Sequence, residues 1–139
     1  MALSVAAALL LGLCAESTAH ARRCSGDPVY DPGSNGPCYF AVTPFLPGGE
    51  ATVKGKWFER MPFIDPQLSY LKDTADDGLD AYLWVRYTDG TETNEKWLAR
   101  ASGPGATVEV RWPFAPMIDS FSTRICLGPN TATCSDWRT

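Results

Sequence analysis

Hydrophobic and polar positions alternate over residues 79–88. Ala81, Leu83, Val85 and Tyr87 fall on one side of an extended chain, and Tyr82, Trp84 and Arg86 fall on the other. Asp89-Gly90 follows, a pair suited to the left-handed backbone of a tight hairpin, and residues 92–100 supply the return strand. A two-residue turn there sets Tyr82 opposite Trp97 and Trp84 opposite Glu95, both pairs on one face. After the breaker Ser102-Gly103-Pro104-Gly105, residues 107–112 alternate again, with Val108, Val110 and Trp112 against Thr107, Glu109 and Arg111, and continue the meander. Residues 120–127 carry Phe121, Thr123, Ile125 and Leu127 on one face and Arg124 on the other. Weaker strand patterns span 38–45 and 52–59, split by Pro47-Gly48-Gly49, and a short one spans 68–71.

No stretch holds a 3.6-residue apolar period, and eleven prolines with twelve glycines cut the chain into strand-length pieces. This rhythm predicts an all-β fold: a single small antiparallel β-sandwich of jelly-roll or immunoglobulin-like form, or a barrel. Residues 68–127 are expected to form a self-sufficient core.

The first residues read differently. An uncharged apolar run over 5–15 is followed by Glu16-Ser17-Thr18 and then Ala19-His20-Ala21, a small-x-small cleavage site. Eleven apolar residues are too few for a membrane span. Residues 1–21 are therefore expected to be a removed signal peptide and 22–139 a single secreted β domain, without a membrane span. Leu11-Gly12-Leu13-Cys14 resembles a lipobox, but Leu13 stands where a small residue belongs.

Export changes the meaning of the cysteines. Cys24, Cys38, Cys126 and Cys134 make an even set downstream of the signal, which predicts two disulfides in an oxidising compartment. Three pairings are open, and the local ones are favoured. Cys24 with Cys38 would pin residues 22–37, an irregular N-terminal arm rich in Asp-Pro, Pro-Gly and Asn-Gly turn formers; Cys126 with Cys134 would close a loop through Gly128-Pro129-Asn130. Each bridge of this size stabilises by roughly 3 kcal/mol in the chain-entropy model.

The only histidine, His20, leaves with the signal. Without it there is no imidazole-assisted nucleophile or imidazole-ligated zinc, and cysteines spaced fourteen and eight residues apart lack the short pairs of a four-cysteine zinc site. Neither pair is a C-x-x-C redox motif. No enzyme is expected. Net charge is −4 for the full chain and −3 once Glu16 is removed, and no basic run extends beyond Arg22-Arg23, which argues against nucleic acid as a partner.

Asp73, Asp76, Asp77 and Asp80 concentrate four carboxylates within eight residues. Hard oxygen ligands of this kind suit a structural calcium ion. Turn chemistry explains the same residues without metal, because Asp accepts hydrogen bonds from nearby backbone amides; no other cofactor is implied.

The hairpin suggests a recognition surface. A one-sided sheet would expose Tyr82, Trp84 and Trp97 as flat rings for sugar faces, with Arg86 and Glu95 placed to fix hydroxyls. The competing expectation is that the aromatic face is core and that Lys96 and Asn94 mark the wet side. Two functions remain open: a monomeric binding protein for polysaccharide or cell-wall glycan, or a factor directed at an extracellular protein, such as a hydrolase inhibitor or toxin-like effector. The second would make contact through exposed loops such as Pro129-Asn130 or Met61-Pro62-Phe63.

Asp73-Thr74-Ala75-Asp76-Asp77-Gly78 leads straight into the strand at Leu79, and the chain closes with Ile125-Cys126-Leu127, a polar loop and Cys134-Ser135-Asp136-Trp137. This combination resembles small secreted two-disulfide β-sandwich proteins of Gram-positive bacteria, mostly of unknown function, over residues 68–137. Those proteins often carry Asp-Thr-x-Ala-Asp-Gly, and here the residue between Thr74 and Ala75 is missing. The resemblance implies an exported β-sandwich and no established activity.

Overall fold

The computed structural model describes residues 38–112, 117–130 and 133–139, and every regular element within them is a strand. The expected signal peptide at 1–21, the arm at 22–37 and the Cys24 half of the first bridge lie outside the described residues. Among those described, no helix is long and apolar enough to cross a membrane.

The described residues begin with a hairpin that the weaker patterns only hinted at. Strand β1 (Cys38–Val42) and the short β2 (Phe45–Leu46) run antiparallel along β3 (Gly49–Phe58), with Cys38 opposite Trp57 and Leu46 opposite Gly49. Pro47-Gly48, instead of separating two strands, is the turn that joins them: proline presets its own φ and Gly48 takes φ +101°. A Cβ on Gly48 would stand 2.8 Å from Leu127 Cδ1, so this turn also packs against the last strand. Next come β4 (Met61–Ile64) and β5 (Tyr70–Asp73), which line the other side of β3 end to end. The gap between them is closed by Ser69, whose hydroxyl accepts the Lys54 N–H at 2.9 Å and donates to the Lys54 carbonyl at 3.0 Å.

The second sheet is three-stranded, with β6 (Ala81–Thr88) between β7 (Thr93–Ala101) and β9 (Ser120–Leu127). Both sheets are antiparallel, and neither closes into a barrel. They share one core. Phe40, Val42, Val53, Trp57 and Leu71 from the larger sheet meet Leu83, Val85, Tyr87, Phe121 and Ile125 from the smaller. Phe121 is a hub, its ring 5.1 Å from Phe40 and 5.7 Å from both Trp57 and Trp112. Among the described residues, 38–64 supply seven of the eighteen buried members of this cluster; fully burying a side chain of this kind contributes about 1.5–3 kcal/mol, so 68–127 do not enclose the core alone.

Two further expectations are corrected. Strand β8 (Thr107–Glu109) does not extend the meander; it crosses to the larger sheet and pairs with β5, Val108 opposite Leu71. The crossing is held by Asp73, whose carbonyl accepts the Gly105 N–H at 2.8 Å while its carboxylate accepts the Gly103 N–H at 3.1 Å. The β6–β7 loop is four residues long, because Asp89 Oδ1 accepts the N–H groups of Thr91 and Glu92 and the Thr91 hydroxyl. Thr88 therefore faces Thr93, Trp84 faces Trp97 and Arg86 faces Glu95; after an irregularity at Leu83/Trp84, Tyr82 faces Arg100.

Candidate functional site

The smaller sheet turns Ala81, Leu83, Val85 and Tyr87 into the core and Tyr82, Trp84 and Arg86 outward, so the aromatic face of the hairpin is not the core. Lys96 and Asn94 misled because the first half of β7 buries neither face, whereas Ala99 and Ala101 in its second half are inside. The outward rings nevertheless form no open platform. Tyr82 is only 8% exposed, lying edge-on to Trp97 at 6.2 Å with the Arg100 guanidinium 5.7 Å from its ring. Trp84 is half-buried, and its Nε1 is buried with no acceptor among the described residues. Trp97 alone of the three is open, at 54% exposure.

The C-terminal segment occupies the Arg86 end of the same face. The Cys126–Cys134 bridge brings residues 134–138 against the free edge of β9, where Ser135 N–H donates to Ile125 O and Arg138 exchanges two backbone bonds with Thr123. Trp137 is thereby placed against two guanidiniums, Arg86 and Arg124, each 4.3 Å from its ring centre. Glu95 accepts from Arg86 Nε at 2.8 Å and lies 3.7 Å from Arg124. Arg86 and Glu95, expected to hold a sugar, already hold each other.

The acidic cluster is dispersed too. Asp73 is fully buried with its carboxylate on the Ala75 and Gly103 N–H groups, Asp77 accepts the Leu79 N–H at 2.9 Å, and Asp76 is exposed. Asp80 pairs with Arg100, whose Nε donates at 2.8 Å; that hydrogen bond, then the charge of Asp80, pushes the guanidinium pKa up. No group of three or more potential metal ligands converges among the described residues.

A different surface stands out on the outer face of the larger sheet. Inward alternation of Ala51, Val53 and Trp57 leaves Lys54, Lys56 and Phe58 pointing outward on β3. Register then places Lys56 between Tyr39 of β1 and Phe63 of β4, and Phe58 opposite Met61. Phe58 is 64% exposed and Phe63 57%, and Tyr39, Met61 and Leu68 are exposed beside them. A groove of about 330 Å³ runs among Tyr39, Lys54, Lys56, Phe63, Asp65 and Leu68. Lys56 Nζ sits 5.7 Å from the Phe63 ring centre.

Charge on this face is unbalanced. Arg60, Lys72, Arg86, Arg100, Arg111 and Arg124 each pair with a carboxylate. Lys54 and Lys56 have no ion-pair partner among the described residues. Met61-Pro62-Phe63 was expected in an exposed loop and is instead a strand. Pro62 has no N–H to offer, which suits β4, paired only with β3 among the described residues. Tyr39, Lys56, Phe58 and Leu68 were not expected at a site; for Tyr39 and Phe58 the available signal was a large apolar residue at the outward parity of a strand whose inward parity was already apolar, and Leu68 lies in the turn before β5.

No family model, curated protein or solved structure matches this chain.

Proposed function

We propose that the chain is an extracellular, non-catalytic recognition domain that binds a protein through the outer face of β1, β3 and β4. The observation that carries this reading is the contiguous set Tyr39, Phe58, Met61, Phe63 and Leu68, exposed on one face around a groove. Contiguous apolar surface of this kind marks association sites, and aromatic residues with Met are enriched in protein interfaces. Four of the five, Phe58, Met61, Phe63 and Leu68, offer a sugar neither hydroxyl partners nor the polar edge that Tyr39 has, so a protein fits better than a glycan. The Cys126–Cys134 bridge and the signal-like run at 5–15 support an oxidising, exported location, with Cys24 and Cys38 as the second bridge. The resemblance to secreted Gram-positive β-sandwich proteins supports the same placement.

Glycan binding is the second reading, favoured by the exposed Trp97 ring against Tyr82. One comparison separates the two. Immobilised wild-type protein, a Phe58→Ser/Phe63→Ser variant and a Trp97→Ala variant are exposed in parallel to culture supernatant and to insoluble glycans. The protein reading expects defined supernatant partners lost with Phe58→Ser/Phe63→Ser and kept with Trp97→Ala. Glycan retention lost only with Trp97→Ala overturns it.

A further inference from the structure

We infer that the outer face of β3 and β4 selects a partner segment that is acidic as well as apolar: an extended stretch with carboxylates at alternate positions, flanked by large apolar side chains. This rests on the protein-binding reading and adds the partner's chemistry. Lys54 and Lys56 lie two residues apart on the same face of one strand, which separates their side-chain origins by about 6.5–7 Å. An extended ligand repeats with the same period, so acids at positions i and i+2 meet the two ammonium groups together.

Two lysines share this groove with one carboxylate residue, Asp65, whose Oδ1 accepts the Gln67 N–H. The chain carries net charge −4, six other cations already have carboxylates, and these two have none among the described residues. Apolar surface continues the line beyond them, since Phe58 is the next outward position after Lys56, with Phe63 and Met61 beside it on β4. A large side chain at i+4 or i−2 would cover that apolar end while the acids engage the lysines. An anionic membrane is the less fitting occupant, because two lysines contribute only about 1 kcal/mol each at such a surface.

A library of random linear dodecapeptides displayed on phage, selected on the immobilised wild-type chain and counter-selected on the Phe58→Ser/Phe63→Ser variant, tests this directly. The expected outcome is enrichment of Asp or Glu at i and i+2 with Leu, Phe, Tyr or Trp next on the same parity. Selected peptides then lose about tenfold in affinity on Lys54→Glu/Lys56→Glu, and regain it when their acids are exchanged for lysines. Enriched peptides that are apolar without acids, or whose affinity ignores the lysine reversal, overturn the charge selection and leave the binding face standing. No peptide that distinguishes wild type from the phenylalanine variant overturns both. Vesicles containing phosphatidylglycerol are the final arm; lysine-dependent binding to them, with no peptide selected, transfers the face to a membrane.

Discussion

The carbonyl of Phe63 occupies the space into which a Cβ on Gly55 would have to project, and the tip of the Phe40 ring is 2.7 Å from the same point. Gly55 is therefore what allows β4 to close on β3 and present Phe63 and Met61 on the outer face. Gly55→Ala forces the strands apart or displaces the Phe40 ring from the core. Overpacking of this kind costs typically about 1–3 kcal/mol, and backbone resists more than a side chain does, so the upper end is expected. Denaturant unfolding gives the loss, and weaker amide protection in β4 than in β6 localises it.

Ser69→Ala tests the stitch between β4 and β5. The hydroxyl serves both backbone groups of Lys54 from a site that is 2% exposed; its removal leaves the Lys54 N–H without a partner, while the Lys54 carbonyl keeps the Asp65 N–H at 2.9 Å. The expected destabilisation is about 1–3 kcal/mol. Faster hydrogen exchange at the Lys54 amide, with little change at Val85, would mark the effect as local. An unchanged Lys54 amide would mean that water replaces the hydroxyl.

Asp73→Asn addresses the acidic segment. The buried carboxylate accepts two backbone N–H groups, from Ala75 and Gly103, and a side-chain amide can accept only through its one oxygen. A loss of about 1–3 kcal/mol is expected, because one amide becomes unpaired in the crossing from β7 to β8. Thermal midpoints of the wild type are expected to agree in calcium and in chelator. A calcium-dependent rise abolished by Asp73→Asn would restore the metal reading of this segment.

The β6–β7 turn has a pH signature. Donation from the Glu92 N–H, then the Thr91 N–H and hydroxyl, holds the Asp89 carboxyl below the usual carboxylate range. A lowered folded-state pKa means that the ionised form is preferred when folded. Its stabilisation is fully present above the unfolded value of roughly 3.9 and is lost as pH falls through the folded value. NMR titration is expected to show the Thr91 and Glu92 amides moving with the Asp89 carboxyl at acid pH. Asp89→Asn removes that transition.

Strand existence was legible wherever one face is buried and the other wet, as along Leu83, Trp84, Val85 and Arg86, because period-two alternation is a direct imprint of a half-buried sheet. Pairing was less so. Asp89-Gly90 fits a two-residue turn on local grounds, but the four-residue loop won because one carboxylate oxygen accepts from both Thr91 and Glu92. The crossing of β8 depended on the Asp73 carboxylate meeting Gly103, thirty residues away, which no local pattern encodes. The candidate face was hidden for a similar reason: Tyr39 lies seventeen residues before Lys56 and Phe63 seven after it, and the three become neighbours through the register of three strands.

Trp137 makes the last case, because its ring meets two like charges. Arg86 and Arg124 stack at 4.3 Å on the indole, and Glu95 is the carboxylate that pairs with both. Trp137→Ala removes two cation–π contacts, each contributing about 0.5–1 kcal/mol where water has partial access, so a total near 1–2 kcal/mol is expected. It also uncovers Arg124, whose Nε is buried without an acceptor among the described residues. Trp137→Phe retains a weaker ring and is expected to recover part of the loss. Covalent and stacking contributions can be separated, since the Cys126–Cys134 bridge holds the same segment from its other end. Replacing both cysteines by alanine costs about 2–3 kcal/mol for a loop of this size. If Trp137→Ala then costs nothing further in that background, the ring depends on the bridge for its position; a full additional loss means that the two guanidiniums hold the tail on their own.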